Sequence, residues 1–240
     1  MIQATYFYFG LTTEQTDALK SALSTFNNGG KAFSFKVGDE TVYVQFSLTA
    51  TEAADGDAAK EASDGAKVEL ANGSYAFYGN VVSTVDNLKS AGLVNNNNSG
   101  SDGEFAFALQ SRVKAINEKN TRENIAQHPG ENNVNVPYSN VLSSALTHEI
   151  GHNLAAAHGD PGNLMSKIHT DVISSNDVGG GPTGIYRWSY PGIDNNSVRA
   201  LSGRVGMPYG STNSNYINSK ESERTKKAEN PGTAGKLLKL

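Results

Sequence analysis

The chain has no cysteine among its 240 residues. That absence excludes a disulfide scaffold, a thiolate-ligated zinc site and a cysteine nucleophile. Stability then rests on the core and on any bound ions, and the redox compartment stays open. No apolar run approaches the roughly 20 residues needed to span a bilayer. Net charge is −4, and the first two hundred residues hold no long run of lysine or arginine. Nucleic acid is therefore not expected as the main partner, because neutralising phosphates needs a basic surface. The start, "MIQATYFYFGLTTEQ", lacks the charged and apolar regions of a signal peptide, and Met1 reads as the start of a mature or excised domain. There is no internal repeat and no G-x-S-x-G or dinucleotide fingerprint. The glycine-rich "GGGPTG" lacks the Lys-Ser/Thr ending of a P-loop.

What the chain does have is a globular balance, 37% hydrophobic and 18% charged. Asn- and Gly-rich stretches such as "NNGG", "NNNNSG" and "GENNVNV" give a loop-rich character, read here as bacterial and extracytoplasmic. Alternation in "QATYFYFG" predicts a strand over residues 3 to 9. An amphipathic helix follows, capped by Thr12 or Thr13, with Leu19, Leu23 and Phe26 on one face. "KAFSFKV" and "TVYVQFSLTA" read as a hairpin across "GDE". The "DGD" near residue 56 departs from a calcium loop, which needs an oxygen ligand where Ala59 stands and a glycine where Lys60 stands. A loop or short surface helix is expected there instead. "KVEL", "SYAFYGNVV" and "EFAFALQ" read as further strands, "STVDNLKSAGLV" and "SRVKAINEKNTRENIAQ" as helices, and "NNNNSGSDG" as a loop. "SNVLSSALTHEIGHNL" is the strongest helix, capped by Ser139 or Asn140, with Leu142, Leu146 and Ile150 forming an apolar stripe. A late helix, "NNSVRALSGRV", is capped near Asn196, and the polar residues from 211 to 240 read as a flexible tail.

Three of the five histidines, His148, His152 and His158, fall within eleven positions. On a helix, residues four apart are separated by about 40° and one turn. Both imidazoles of His148 and His152 then face one point, as a zinc ion bound at about 2.0–2.1 Å requires. Glu149 lies about 100° round from His148, placed to accept a proton from water on the ion rather than to ligate it. The competing reading is a solvated helix with incidental histidines. Two histidines and a glutamate against an otherwise apolar helix are costly without such a partner. His158 is different, since a continuous helix would put it about 240° round from His152. It joins the pair only if the chain bends sharply after about Leu154.

"HEIGHNLAAAH" resembles the H-E-x-x-H-x-x-G-x-x-H zinc signature of the metzincin metallopeptidases, and "HEIGHNL" resembles their reprolysin (adamalysin-like) branch. "GNLMS", seven residues past His158, resembles the Met-turn, with Met165 beneath the metal. The resemblance covers residues 145 to 166; upstream, only the order of elements is compatible. Two positions depart from it. The signature's glycine, which ends the helix in a left-handed conformation, is Ala155, and an L-residue there costs roughly 1–2 kcal/mol. Metal binding, worth on the order of 10 kcal/mol in structural zinc sites, offsets that. The aspartate that commonly follows the third histidine is displaced to Asp160, with Gly159 intervening. The alternative is that "LAAAHGDP" continues the helix to a Gly159 terminus. His158 then leaves the site, and the third ligand is Asp160, His169, Asp171 or a distant Glu221, as in gluzincin peptidases. Met165, standing where a Met-turn belongs, favours the three-histidine set. His128 and His169 otherwise read as loop and surface residues. Lys167 stands at the position of the family's optional tyrosine ligand, and Tyr186, Trp188 and Tyr190 either line a pocket or pack a small subdomain.

The resemblance implies an α+β, metzincin-like fold. A mixed sheet with helices forms the N-terminal part, followed by the zinc helix, the Met-turn and a small irregular C-terminal subdomain. The expected domain covers residues 1–210, divided into 1–158 and 159–210. It further implies a zinc-dependent endopeptidase holding one Zn²⁺ through His148, His152 and His158, with Glu149 as general base and protein or peptide as substrate. The substrate is expected to add a strand at a sheet edge, for which "EFAFALQ" is the candidate. Two other roles fit the same residues: a toxic peptidase module of a larger secreted bacterial protein, and a non-catalytic zinc-containing binding module.

Overall fold

The computed structural model describes residues 1–69, 75–94, 100–102, 105–108, 138–157, 160–165, 170–172, 186–188 and 192–202. The first strand, β1 (Ile2–Tyr8), buries Ile2, Ala4, Tyr6 and Tyr8 on one face and leaves the alternate residues half-buried. That pattern suits a strand covered on both sides. The helix α1 (Thr13–Asn27) starts at a capping box: Gln15 N–H donates to Thr12 Oγ1, and Thr12 N–H donates to Gln15 Oε1 at 2.7 Å. Asn28, with φ 48°, ends it in the left-handed region. The expected cap, apolar face and stop are thus all present.

The hairpin is present as β2 (Phe33–Val37) and β3 (Glu40–Val44), paired antiparallel. Its second half departs from expectation. The single strand read over residues 41–50 breaks at Gln45, and β4 (Phe46–Glu52) leaves the hairpin to pair parallel with β1. The segment beyond it forms α2 (Gly56–Ala66), capped by Asp55, whose carboxylate accepts the Ala58 N–H. Then come β5 (Val68–Glu69), β6 (Tyr75–Thr84), α3 (Val85–Ser90), β7 (Gly100–Asp102) and β8 (Phe105–Ala108). The residues 109–137, including the expected helix over "SRVKAINEKNTRENIAQ" and His128, lie outside the described residues.

The main sheet runs β4-β1-β6-β8-β7, with β5 pairing antiparallel on β6. The bonds β4–β1, β1–β6 and β6–β8 are parallel, and β7 is antiparallel to β8. The mixed sheet expected from sequence is therefore present. Its edge, however, is not "EFAFALQ". That segment supplies β8, which is paired on both sides; among the described residues the sheet ends in β4 on one side and in β7, drawn from a stretch read as loop, on the other. Strand identity here follows pairing rather than composition, since "GSD" carries no β-former.

Helices cover both faces of this sheet. On one, α1 and α4 (Tyr138–Asn153) build a core with β1, β4 and β6. On the other, Ala59 of α2 and Leu88 of α3 pack with Phe9 and Val81. The α2 side packs so closely that a Cβ at Gly79 of β6 would overlap the Ser63 carbonyl oxygen. The short strands β9 (Thr170–Val172) and β10 (Tyr186–Trp188) pair antiparallel, and α5 (Asn195–Ser202) follows. The cap of α5 is Asp194 rather than Asn196, because the Asp194 carboxylate accepts the Ser197 N–H. The polar tail lies outside the described residues. Among those that are described, no helix is long and apolar enough to cross a membrane.

The close seating of α2 on β6 gives a direct test. Gly79→Ala pushes Cβ into the Ser63 backbone, which only a shift of α2 relieves, and overpacking of this kind costs about 1–3 kcal/mol. Urea unfolding is expected to show that loss. An unchanged midpoint would mean that α2 does not sit directly on the sheet.

Candidate metal centre

The helix α4 carries the expected stripe: Leu142, Leu146 and Ile150 are buried in the main core. It begins at Tyr138, so Ser139 and Asn140 lie inside it and neither is the cap. Val141 is already buried. With the apolar stripe held against α1 and the β8 side of the sheet, His148 and His152 stand one helical turn apart, both half-buried. Their rings are nearly perpendicular, at 88°, with centroids 4.7 Å apart.

The nitrogens show the chemistry of this pair. His148 Nδ1 lies 3.2 Å from the Leu164 carbonyl oxygen, and His152 Nδ1 lies 2.8 Å from the Ala156 carbonyl oxygen. A carbonyl only accepts, so each Nδ1 carries the proton. Each neutral ring then presents its lone pair at Nε2, and these two atoms approach to 3.2 Å. Two lone pairs at that distance repel unless an electrophile, a proton or a metal cation, lies between them. Two nitrogens held at about 2.0–2.1 Å by a tetrahedral ion stand about 3.3–3.4 Å apart. The backbone carbonyls are also the usual outer partners of metal-binding histidines, fixing tautomer and ring direction. The pair therefore fits a divalent cation.

The helix ends in the way the three-histidine arrangement needs. Ala155 has φ 71°. Its N–H donates to the His152 carbonyl at 2.9 Å, and the Ala156 N–H reaches back to the Gly151 carbonyl at 2.9 Å. Those two bonds define a Schellman terminus with Ala155 in the position that usually holds glycine. The helix does not continue to Gly159. The same turn brings the Ala156 carbonyl under His152 Nδ1, so the bend and the ligand's outer partner are one feature. Beyond it, the Asp160 carboxylate accepts the Ala157 N–H at 2.8 Å, and the Asp160 N–H donates to the Ala157 carbonyl at 3.1 Å.

Met165 is buried against α4 at Gly151, where an added Cβ would stand 2.6 Å from Met165 Cε and 3.1 Å from the Leu164 side chain. The glycine within H-E-x-x-H thus lets the 162–165 turn approach the helix closely enough for Leu164 to reach His148. Glu149 is partly buried, and that burial pushes its carboxyl up to about 8. Desolvation disfavours the charged form, and a nearby cation acts in the opposite direction.

Of the residues singled out from sequence, His148, His152, Glu149, Ala155, Asp160 and Met165 fall in the described residues. His158, His169, Lys167, Tyr190 and Glu221 lie outside them. Asp171, Tyr186 and Trp188 are described as backbone only, with Arg187 opposite Asp171 across β9 and β10. Among the described residues, no three His, Cys, Asp or Glu side chains form a metal-holding group, and the Asp160 carboxylate accepts the Ala157 N–H. Sequence reasoning missed both carbonyl anchors. The nearest signals were the demanded bend after Leu154 and the "GNLMS" turn, but a carbonyl has no residue type to betray it.

Compared with models of known families, with curated proteins and with solved structures, the chain has no match.

The Ala155 turn yields a paired test. In Ala155→Gly, relief of roughly 1–2 kcal/mol of backbone strain is set against added chain entropy and a lost buried methyl worth about 0.8 kcal/mol. Stability is expected to change by no more than about 1 kcal/mol. Ala155→Val, β-branched and buried at a positive φ, is expected to cost more than about 2 kcal/mol. Urea unfolding of chelator-treated protein measures both, and equal tolerance of valine and glycine would contradict a left-handed residue at 155.

Proposed function

We propose that the chain is a zinc-dependent endopeptidase of metzincin type that hydrolyses peptide bonds in proteins. The observation that carries this reading is the 3.2 Å approach of His148 Nε2 and His152 Nε2, with each Nδ1 directed at a backbone carbonyl. These two rings would hold the ion, with His158 as the third ligand that the motif implies. Ala155 supports that set, because the turn it makes ends the helix before the straight path that would carry residue 158 away from the pair.

When bound, zinc supplies a Lewis acid that polarises the scissile carbonyl and acidifies the attacking water. Glu149 takes the proton of that water as it attacks and returns it to the leaving amine. Its carboxyl, raised to about 8 by burial, is neutral at pH 7 when no cation stands beside it. The ion and the base are therefore coupled, since the charge on the metal favours the carboxylate form that a base requires. Met165 and Leu164 fill the space against Gly151 and hold the His148 side of the site rigid. The strand β7 packs beside α4, so an extended substrate that paired with β7 would lie next to the histidine helix.

Two substitutions test the reading. Glu149→Ala is expected to keep the fold and the metal while proteolysis of casein falls by about 10²–10⁴-fold. Cleavage by the purified variant at the wild-type rate would show that Glu149 is not the base. His148→Ala removes a ligand, and elemental analysis after dialysis is expected to find zinc in the wild type and none in the variant. Zinc retained by His148→Ala, or absent from the wild type after reconstitution, would overturn the metal assignment.

A further inference from the structure

His148 is oriented by a carbonyl that is itself pinned from the far side. The Leu164 carbonyl faces His148 Nδ1 at 3.2 Å, and the Leu164 N–H donates to Ser197 Oγ at 3.1 Å. A serine hydroxyl has one proton, and here it goes to Asp194 Oδ1 at 2.7 Å. The lone pairs of Oγ are thereby left for the Leu164 N–H, and the direction of each bond is set. Asp194 Oδ1 also accepts the Ser197 N–H at 2.8 Å, and the Asp194 carbonyl accepts the Val198 N–H at 3.0 Å. Gly162, with φ 101°, approaches this group so closely that a Cβ would overlap Asp194 Oδ1 and Ser197 Oγ.

A helix cap needs only the bond from the Asp194 carboxylate to the Ser197 N–H. It does not need a hydroxyl at residue 197, which is 3% exposed and would cost less to bury as alanine. That hydroxyl is satisfied only because one end meets the carboxylate and the other meets Leu164. The carboxylate strengthens the bond it accepts, and a polarised hydroxyl in turn becomes a better acceptor for the amide beyond it. The chain of bonds runs from Asp194 through Ser197 and Leu164 to the His148 ring.

We propose that Asp194 and Ser197 are positioning residues of the metal centre, fixing the Leu164 carbonyl and through it the Nδ1–H tautomer and direction of His148. This rests on the reading of His148 and His152 as a metal-holding pair. Neither residue touches the ion or the substrate.

The test compares Ser197→Ala with Val198→Ala in the full chain. Val198 is buried one residue along the same helix, so its truncation loosens α5 through a cavity and leaves the Leu164 bond in place. Two quantities are read: the tautomer of His148 in chelator-treated protein, by long-range ¹H–¹⁵N NMR, and the affinity for Zn²⁺ alone, by competition with a chromophoric chelator. Ser197→Ala is expected to lower the Nδ1–H population and to weaken zinc about tenfold, whereas Val198→Ala lowers the melting temperature and leaves both unchanged. Wild-type tautomer and affinity in Ser197→Ala, or equal losses in Val198→Ala, would overturn the proposal. If wild type binds no zinc, the metal reading fails, and the tautomer comparison still decides whether Ser197 sets His148. Should Ser197→Ala not fold, Asp194→Asn keeps a cap acceptor but removes the charge. Zinc is then expected to weaken about threefold, and no change in affinity or tautomer would count against the proposal.

Discussion

Two imidazole rings held with their Nε2 atoms 3.2 Å apart are the constraint around which the candidate site is arranged. Each ring spends its Nδ1 proton on a backbone carbonyl, which leaves both Nε2 atoms as acceptors 3.2 Å apart. Neither ring relieves the repulsion by turning, because turning breaks the carbonyl bond and leaves a buried polar group poorly paired. A proton shared between the rings would relieve it partly, and a divalent cation held by both nitrogens would relieve it for both. The arrangement is preorganised: orientation has been fixed by folding, so it is not lost again when a ligand binds.

The two carbonyls come from different levels of the structure. That of Ala156 is local, delivered four residues beyond His152 by the turn that ends the same helix. That of Leu164 is supplied by a separate segment, which reaches the helix because Gly151 has no side chain to keep it away. The His152 half of the site therefore depends on helix-terminus geometry, and the His148 half depends on the seating of the 162–165 turn against Gly151 and on the Ser197 hydroxyl that accepts the Leu164 N–H. Both halves share one core, because Leu146, Ile150, Leu154, Leu164, Met165, Val198 and Leu201 belong to the same buried cluster as β1 and α1.

This division also explains what was legible in the sequence. The spacing of His148, Glu149 and His152 was readable because a helix converts spacing into direction with no outside information. A cap at Thr12 or Thr13, the stop in "NNGG" and the alternation of β1 were readable for the same reason. Contacts that depend on what comes alongside were not. "FAFA" looks more like a free-standing strand than "GSD" does, yet the first is the inner strand and the second the edge. The run from residue 41 to 50 looked like one strand, and only the competition between β2 and β1 for its two halves divides it at Gln45. The Leu164 and Ala156 carbonyls were signalled only indirectly, by the turns that carry them, since every residue has a carbonyl.

The turn at Ala155 is where local preference and packing disagree. Three alanines in a row favour helix over a left-handed turn, and the left-handed residue alone costs roughly 1–2 kcal/mol. Against this, Leu154, Ala155, Ala156 and Ala157 are all at most 4% exposed. Four consecutive residues point in four directions around a helix, so a continued helix at the edge of this core would turn at least one of them to solvent. Ending the helix lets the chain run into the core instead. Leu154 continues the stripe of Leu142, Leu146 and Ile150 and is buried whether or not the helix goes on, so the gain from ending it lies in the alanines. Each buried methyl is worth about 0.8 kcal/mol, so the methyls of Ala155, Ala156 and Ala157 together offset a strain of roughly 1–2 kcal/mol. Packing and strain are of the same size at this turn, and the side chains that the turn lets into the core decide where the helix stops.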